Sequence, residues 1–104
     1  MELNILLDSD LLSLNQDYGN MYIEMTFLVE SGERVKVTAS NEGRHAINVS
    51  CIGLQLSANR LTSDDVPTLG EVEGVSFLKN KLSLEGDFGL IEVRCDHIQV
   101  ESAL

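Results

Sequence analysis

The residues of this chain whose types could do chemistry are two cysteines, two histidines and several closely spaced carboxylates. Cys95-Asp96-His97 sets a thiol, a carboxylate and an imidazole side by side. Nucleophilic catalysis needs those groups, with a base in hydrogen-bond reach of the thiol and a third group orienting the base. In a regular strand, however, Cys95 and His97 point to one face and Asp96 to the other. No Gly-x-Ser-x-Gly elbow and no Gly-rich phosphate loop occurs in the chain. The expected arrangement is a Cys95 packed in the core and a His97 at a bulge near a sheet edge. Cys51, Cys95, His45 and His97 are ligands of the zinc type, but there is no Cys-x-x-Cys pair and they would have to converge from two strands. Asn15–Asn20 lacks the register and closing acid of a calcium loop. Glu71 and Glu73, or Glu85 and Asp87, have the makings of a glycosidase pair, yet the chain contains no tryptophan for sugar stacking. Asp8 with Asp10, and Asp64 with Asp65, read as caps, solvated loop positions or partner contacts. No catalytic residue, metal or cofactor is assigned, and the chain is read as non-enzymatic.

The elements that would position these groups are strands, because the dominant hydrophobic period is two. Met21, Ile23, Met25, Phe27 and Val29 alternate with Tyr22, Glu24, Thr26 and Leu28. Glu30-Ser31-Gly32-Glu33 then reads as a turn, and Val35, Val37 and Ala39 alternate again, so a hairpin is predicted. A third strand is predicted at 45–57, where the parity flips near Gly53, as at a bulge. Residues 58–70 hold the only proline, Pro67, and read as a loop with a helical turn at 62–66. Strand character resumes at 71–78 through Val72, Val75 and Phe77. A second hairpin is expected from 81–84 and 90–100, with a bulge where the parity slips at Asp96–His97. At the N-terminus a strand at 3–7 is expected, followed at 8–14 by either a short helix, with Asp8 or Ser9 as its cap, or a single short turn. The fold class is therefore mostly β: an antiparallel β-sandwich or strongly curved sheet of about seven strands, in one domain over residues 1–104.

Charge is the strongest global signal. Seventeen acids against seven bases leave a formal net charge of −10 over 104 residues. Such a chain repels free nucleic acid and anionic membrane surfaces, so neither is an expected partner. Residues 1–33 contain Glu2, Asp8, Asp10, Asp17, Glu24, Glu30 and Glu33 and no base before Arg34. A field of one sign over a third of the chain would steer a basic protein toward it. Acidity alone would also serve solubility. No stretch is apolar enough to span a membrane, and Met1–Leu7 carries no Lys or Arg, as a secretory signal would. A cytoplasmic location is expected.

Phe88 lies at a Gly-flanked hairpin tip. A ring there is either tucked beneath the sheet or offered to a partner. Tyr18, beside Gly19, poses the same question. The stretch Lys81-Leu-Ser-Leu-Glu-Gly-Asp-Phe-Gly-Leu-Ile-Glu-Val-Arg-Cys-Asp-His-Ile-Gln-Val-Glu101 resembles the closing hairpin of small acidic immunity proteins from bacterial toxin–immunity systems. Size and acidity are similar too. The resemblance implies non-enzymatic capture of one cognate toxin domain, often a basic nuclease, and supplies no fixed binding residues. The expected function is thus a protein-binding module, with contacts at Asp8, Asp10, Asp17, Tyr18, Glu30 and Glu33 and a second cluster at Asp87 and Phe88. The alternatives are a self-assembling homo-oligomeric β protein, through open sheet edges with few lysines, and a small-ligand or metal-binding β domain.

Overall fold

Alternation of apolar and polar residues is satisfied when one face of a strand is buried and the other is wet. The computed structural model, which describes residues 3–16, 21–41, 47–52 (backbone only at 51 and 52) and 67–102, applies that rule to eight antiparallel strands. Strands β1 (Asp10–Gln16), β2 (Tyr22–Leu28), β3 (Arg34–Ser40) and β4 (Asn48–Ile52) come first. They are followed by β5 (Gly70–Leu78), β6 (Lys81–Gly86), β7 (Gly89–Arg94) and β8 (His97–Ser102). Their order in the sheet is β4-β7-β6-β5-β1-β2-β3-β8.

The β2–β3 hairpin forms as its alternation demands, in continuous register from Tyr22↔Ser40 to Leu28↔Arg34. Ile23, Met25, Phe27, Val35, Val37 and Ala39 are fully buried. Gly32 closes the turn at φ 89°, a conformation that costs glycine little. In the second half, β6 and β7 bury Leu82, Leu84, Ile91 and Val93. A bulge between Val72 and Gly74 shifts the parity of β5, so that Val75 and Phe77 pack on the core as Val72 does.

The two halves, β1-β2-β3-β8 and β5-β6-β7-β4, face each other across one core. Cys95 and Asp96 alone connect β7 to β8, although β8 pairs with β3 at the far end of the strand order. Three Cα–Cα steps reach at most about 11 Å. The sheet must therefore bend round until its halves stack, and it does so without closing into a barrel.

Three expectations are corrected. Residues 3–7 are not a strand; Leu3–Leu6 is a single 3₁₀ turn. The segment expected as a short helix or turn contains the start of β1 instead. Leu11 and Leu14 mimic a helical spacing of three because β1 carries a bulge between Leu11 and Ser13. The parity slip at Asp96–His97 is not a bulge within one strand but the crossover from β7 to β8, which raises the strand count to eight. The flip at Gly53, the helical turn at 62–66 and His45 lie outside the described residues.

Phe88 is buried, tucked back from the β6–β7 turn onto the start of β5. The positions it covers are bare: an added Cβ would lie 3.1 Å from its ring at Gly70 and would overlap the Glu71 carbonyl at Gly86. Phe88→Ala should therefore cost about 3–5 kcal/mol of unfolding free energy by urea titration. A loss below about 1 kcal/mol would contradict this packing.

Candidate functional site

The halves of the sheet are hydrogen-bonded to each other through a short seam, in which β1 pairs with β5 only at Asp10↔Glu71 and Leu11↔Gly70. Asp8, in the left-handed region at φ 64°, turns the chain out of the 3₁₀ helix into β1. Aspartate is among the residues that tolerate this region best. Asp8 N–H donates to the Val72 carbonyl (2.9 Å), and Val72 N–H donates to the Ser9 carbonyl (2.8 Å). Leu69 N–H and the Thr68 hydroxyl both donate to the Leu11 carbonyl, at 2.7 and 3.0 Å. Ser9 and Thr68 are the two buried polar residues among those described. Both hydroxyls are hydrogen-bonded, Ser9 donating to the Leu6 carbonyl.

The turn of the β6–β7 hairpin docks on this seam. Asp87 N–H donates to the Glu71 carbonyl, and Glu71 N–H donates to Asp87 Oδ2, each at 3.3 Å. Asp87 is thereby held near Asp10, which is half-buried at the start of β1. Burial first, and then the negative charge of Asp87, push the Asp10 carboxyl above its ordinary value of 3.8. Neither Asp8 nor Asp10 has an ion-pair partner among the described residues.

The same end of the sheet carries the β2–β3 turn, with Glu30 and Glu33 both exposed. Glu33 accepts a hydrogen bond from the Ser102 hydroxyl (3.0 Å). A hollow of about 450 Å³ lies there, lined by Asn4, Ile5, Leu7, Val29, Glu30 and Ser31. Ile5 and Leu7 are 38% and 42% exposed, so the hollow offers apolar surface beside the carboxylates.

The structure thus brings Asp8, Asp10 and Asp87 to one seam and Glu30 and Glu33 to the adjoining turn. Phe88 belongs to the core beneath them and not to the surface, which removes it from the contact set. Asp17 and Tyr18 lie outside the described residues. Sequence reasoning missed Ile5 and Leu7, and weighed Glu71 only with Glu73 as a carboxylate pair, not as a neighbour of Asp10 and Asp87. Leu3-Asn-Ile-Leu-Leu7 did hold a signal, because a run that is apolar at nearly every position must expose part of itself on a one-sided element.

The other chemical candidates do not assemble. Cys95 is a free, buried thiol, while Asp96 and His97 are exposed. Burial, and then the charge of Asp96, raise the Cys95 pKa above 9.0, against a lowering hydrogen bond from the His97 backbone. That favours the inert thiol over the nucleophilic thiolate. Cys51 stands opposite Ile91 in the β4–β7 register, not opposite Cys95. Among the described residues, no three His, Cys, Asp or Glu side chains are grouped to hold a metal ion. No described helix is long and apolar enough to cross a membrane.

Comparison with protein-family models, with curated proteins and with solved structures found no match for this chain.

Because its pKa is raised on folding, ionised Asp10 opposes folding above that pKa, and the cost disappears once the carboxyl is protonated. Asp10→Asn should therefore stabilise the protein at pH 7, by roughly 0.5 kcal/mol given partial solvent screening. The gain should vanish as pH falls below 3.8, in paired thermal melts. An Asn variant less stable than the parent at pH 7 would show that the carboxylate is structurally favourable.

Proposed function

We propose that this chain is a non-enzymatic protein-binding module that captures a basic partner on the seam end of its sheet. One observation supports the reading most. Asp8, Asp10, Glu71 and Asp87 are gathered at a hydrogen-bonded seam, beside the exposed Ile5 and Leu7. An anchor of apolar side chains rimmed by charge is the usual composition of a protein-binding patch. The carboxylates would accelerate encounter, and the hollow at Ile5 and Leu7 would bury an apolar side chain of the partner. Retention of a destabilising ionised group at Asp10 fits a surface kept for binding rather than for folding.

An inhibitor or immunity protein is the form of this function that the C-terminal hairpin and the acidity favour. The toxin-like partner would be basic, and the capture would take place in the cytoplasm. A second reading, self-assembly by edge pairing, draws on β4 and β8 standing at the two ends of the strand order. Light scattering separates the two: a stable homo-oligomer favours edge pairing, and a strict monomer favours capture.

The test begins with affinity capture of the tagged protein from lysate of its own organism at low and high salt, with mass spectrometry of what is retained. A basic protein held stoichiometrically at low salt and weakened by high salt is expected. Neutralising Asp8, Asp10 and Asp87 together with Asn should then slow its association roughly tenfold or more at low salt. An unchanged association rate would remove the seam end from the interface.

A further inference from the structure

At the opposite end of the sheet, the strand register assembles a cationic surface on this strongly acidic chain. Leu78 pairs with Lys81 across β5–β6, and Lys81 pairs with Arg94 across β6–β7. The next outward-facing row is Ser76, Ser83 and Glu92. Directly paired residues project from the same face with Cβ atoms about 5 Å apart, where like charges repel. Lys81 and Arg94 are such a pair, and Lys79 sits beside them in the β5–β6 turn. Residues 76, 78, 79, 81, 83 and 94 line one hollow of about 450 Å³.

The counterions do not balance. Glu92 meets Lys81, Nζ to Oε2 at 3.2 Å. Lys79 and Arg94 have no ion-pair partner among the described residues. Asp96 lines a neighbouring hollow that these two also border. The turn is built at a conformational cost as well, since Lys79 and Asn80 adopt φ 53° and 59°. The first of these positions suits Asn, Asp or Gly rather than lysine. Finally, Leu78 is 72% exposed, the largest exposure among the large apolar side chains described.

We propose that this face binds a phosphate monoester carried on a small apolar body. Arg94 and Lys79 would neutralise the dianion, Arg94 with a planar fork that matches phosphate oxygens. The Ser76 and Ser83 hydroxyls would donate to the remaining oxygens, and Leu78 would cover the apolar part. Bound phosphate would also relieve the repulsion between Lys81 and Arg94. The proposal is independent of the seam end, since none of these residues lies there.

The test is a titration of the full chain, labelled with nitrogen-15, with phenyl phosphate at constant ionic strength, read by amide chemical shifts. Saturable shifts confined to residues 76–83 and 92–94 are expected. Arg94→Gln and Lys79→Gln, both at exposed positions, should each weaken binding roughly tenfold or more. Shifts that do not saturate, or that persist unchanged in Arg94→Gln, would overturn the site as general charge screening. Concentration-dependent shifts without phosphate, at these residues together with Asp10 and Asp87, would also overturn it, by showing that the face is occupied by the acidic end of a second copy.

Discussion

The structure depends on a seam of two residue pairs. Each half of the sheet is held together by long, regular ladders: β2–β3 pairs from Tyr22↔Ser40 to Leu28↔Arg34, and β6–β7 from Lys81↔Arg94 to Gly86↔Gly89. Between the halves, β1 and β5 share only Asp10↔Glu71 and Leu11↔Gly70. The backbone bonds from Asp8, Leu69 and Val72, and the Thr68 hydroxyl, extend that short ladder on both sides. Phe88 then closes it from within, lying against Gly70 and Gly86, where a side chain would exclude the ring. The common core can form only when the seam and the β7–β8 crossover both bring the halves face to face. The seam is thus the place where local ladders become a tertiary structure.

The seam also sets the electrostatics. Its backbone bonds fix Asp87 over Glu71 and set Asp10 within reach of the Asp87 charge. Antiparallel strands return their turns alternately to two ends, so the charges of the turns separate. The β2–β3 and β6–β7 turns carry Glu30, Glu33 and Asp87 to one end. The β5–β6 turn and the strand ends beside it carry Lys79, Lys81 and Arg94 to the other. A chain whose net charge would appear uniformly repulsive therefore has two opposed faces.

How much of this was legible in the sequence follows from how far each feature depends on neighbours. The β2–β3 hairpin could be read residue by residue, because unbroken alternation and a Gly-containing turn are local signals. Strand β1 was misread because its bulge moves the next core-facing leucine, the partly buried Leu14, to a spacing of three, which imitates a helix. The β7–β8 crossover was misread because a parity slip looks the same whether a strand bulges or ends. The acidity of the first third was plain, but which acids would meet was not, since Asp87 reaches Asp10 only through the fold. The flanking glycines of Phe88 marked a hairpin tip and left tucked and exposed equally open, because choosing between them required knowing that Gly70 would arrive beneath the ring. The cationic surface was invisible for the same reason, as Lys81 and Arg94 become neighbours only in the β6–β7 register.

Whether the two faces act on each other can be argued from distance. Strand β6 spans Lys81–Gly86 between them, and at about 3.3 Å per residue the separation along it is roughly 17 Å. That is about twice the screening length of roughly 8 Å at physiological ionic strength. Charge placed on one face is therefore largely screened from the other through solvent. Mechanical coupling is a different matter, because β6 and its turns run directly from the cationic surface to the tip that carries Asp87 and Phe88. The route along β6 ends at Phe88, which packs on Gly70 and Gly86 where the two halves of the sheet meet.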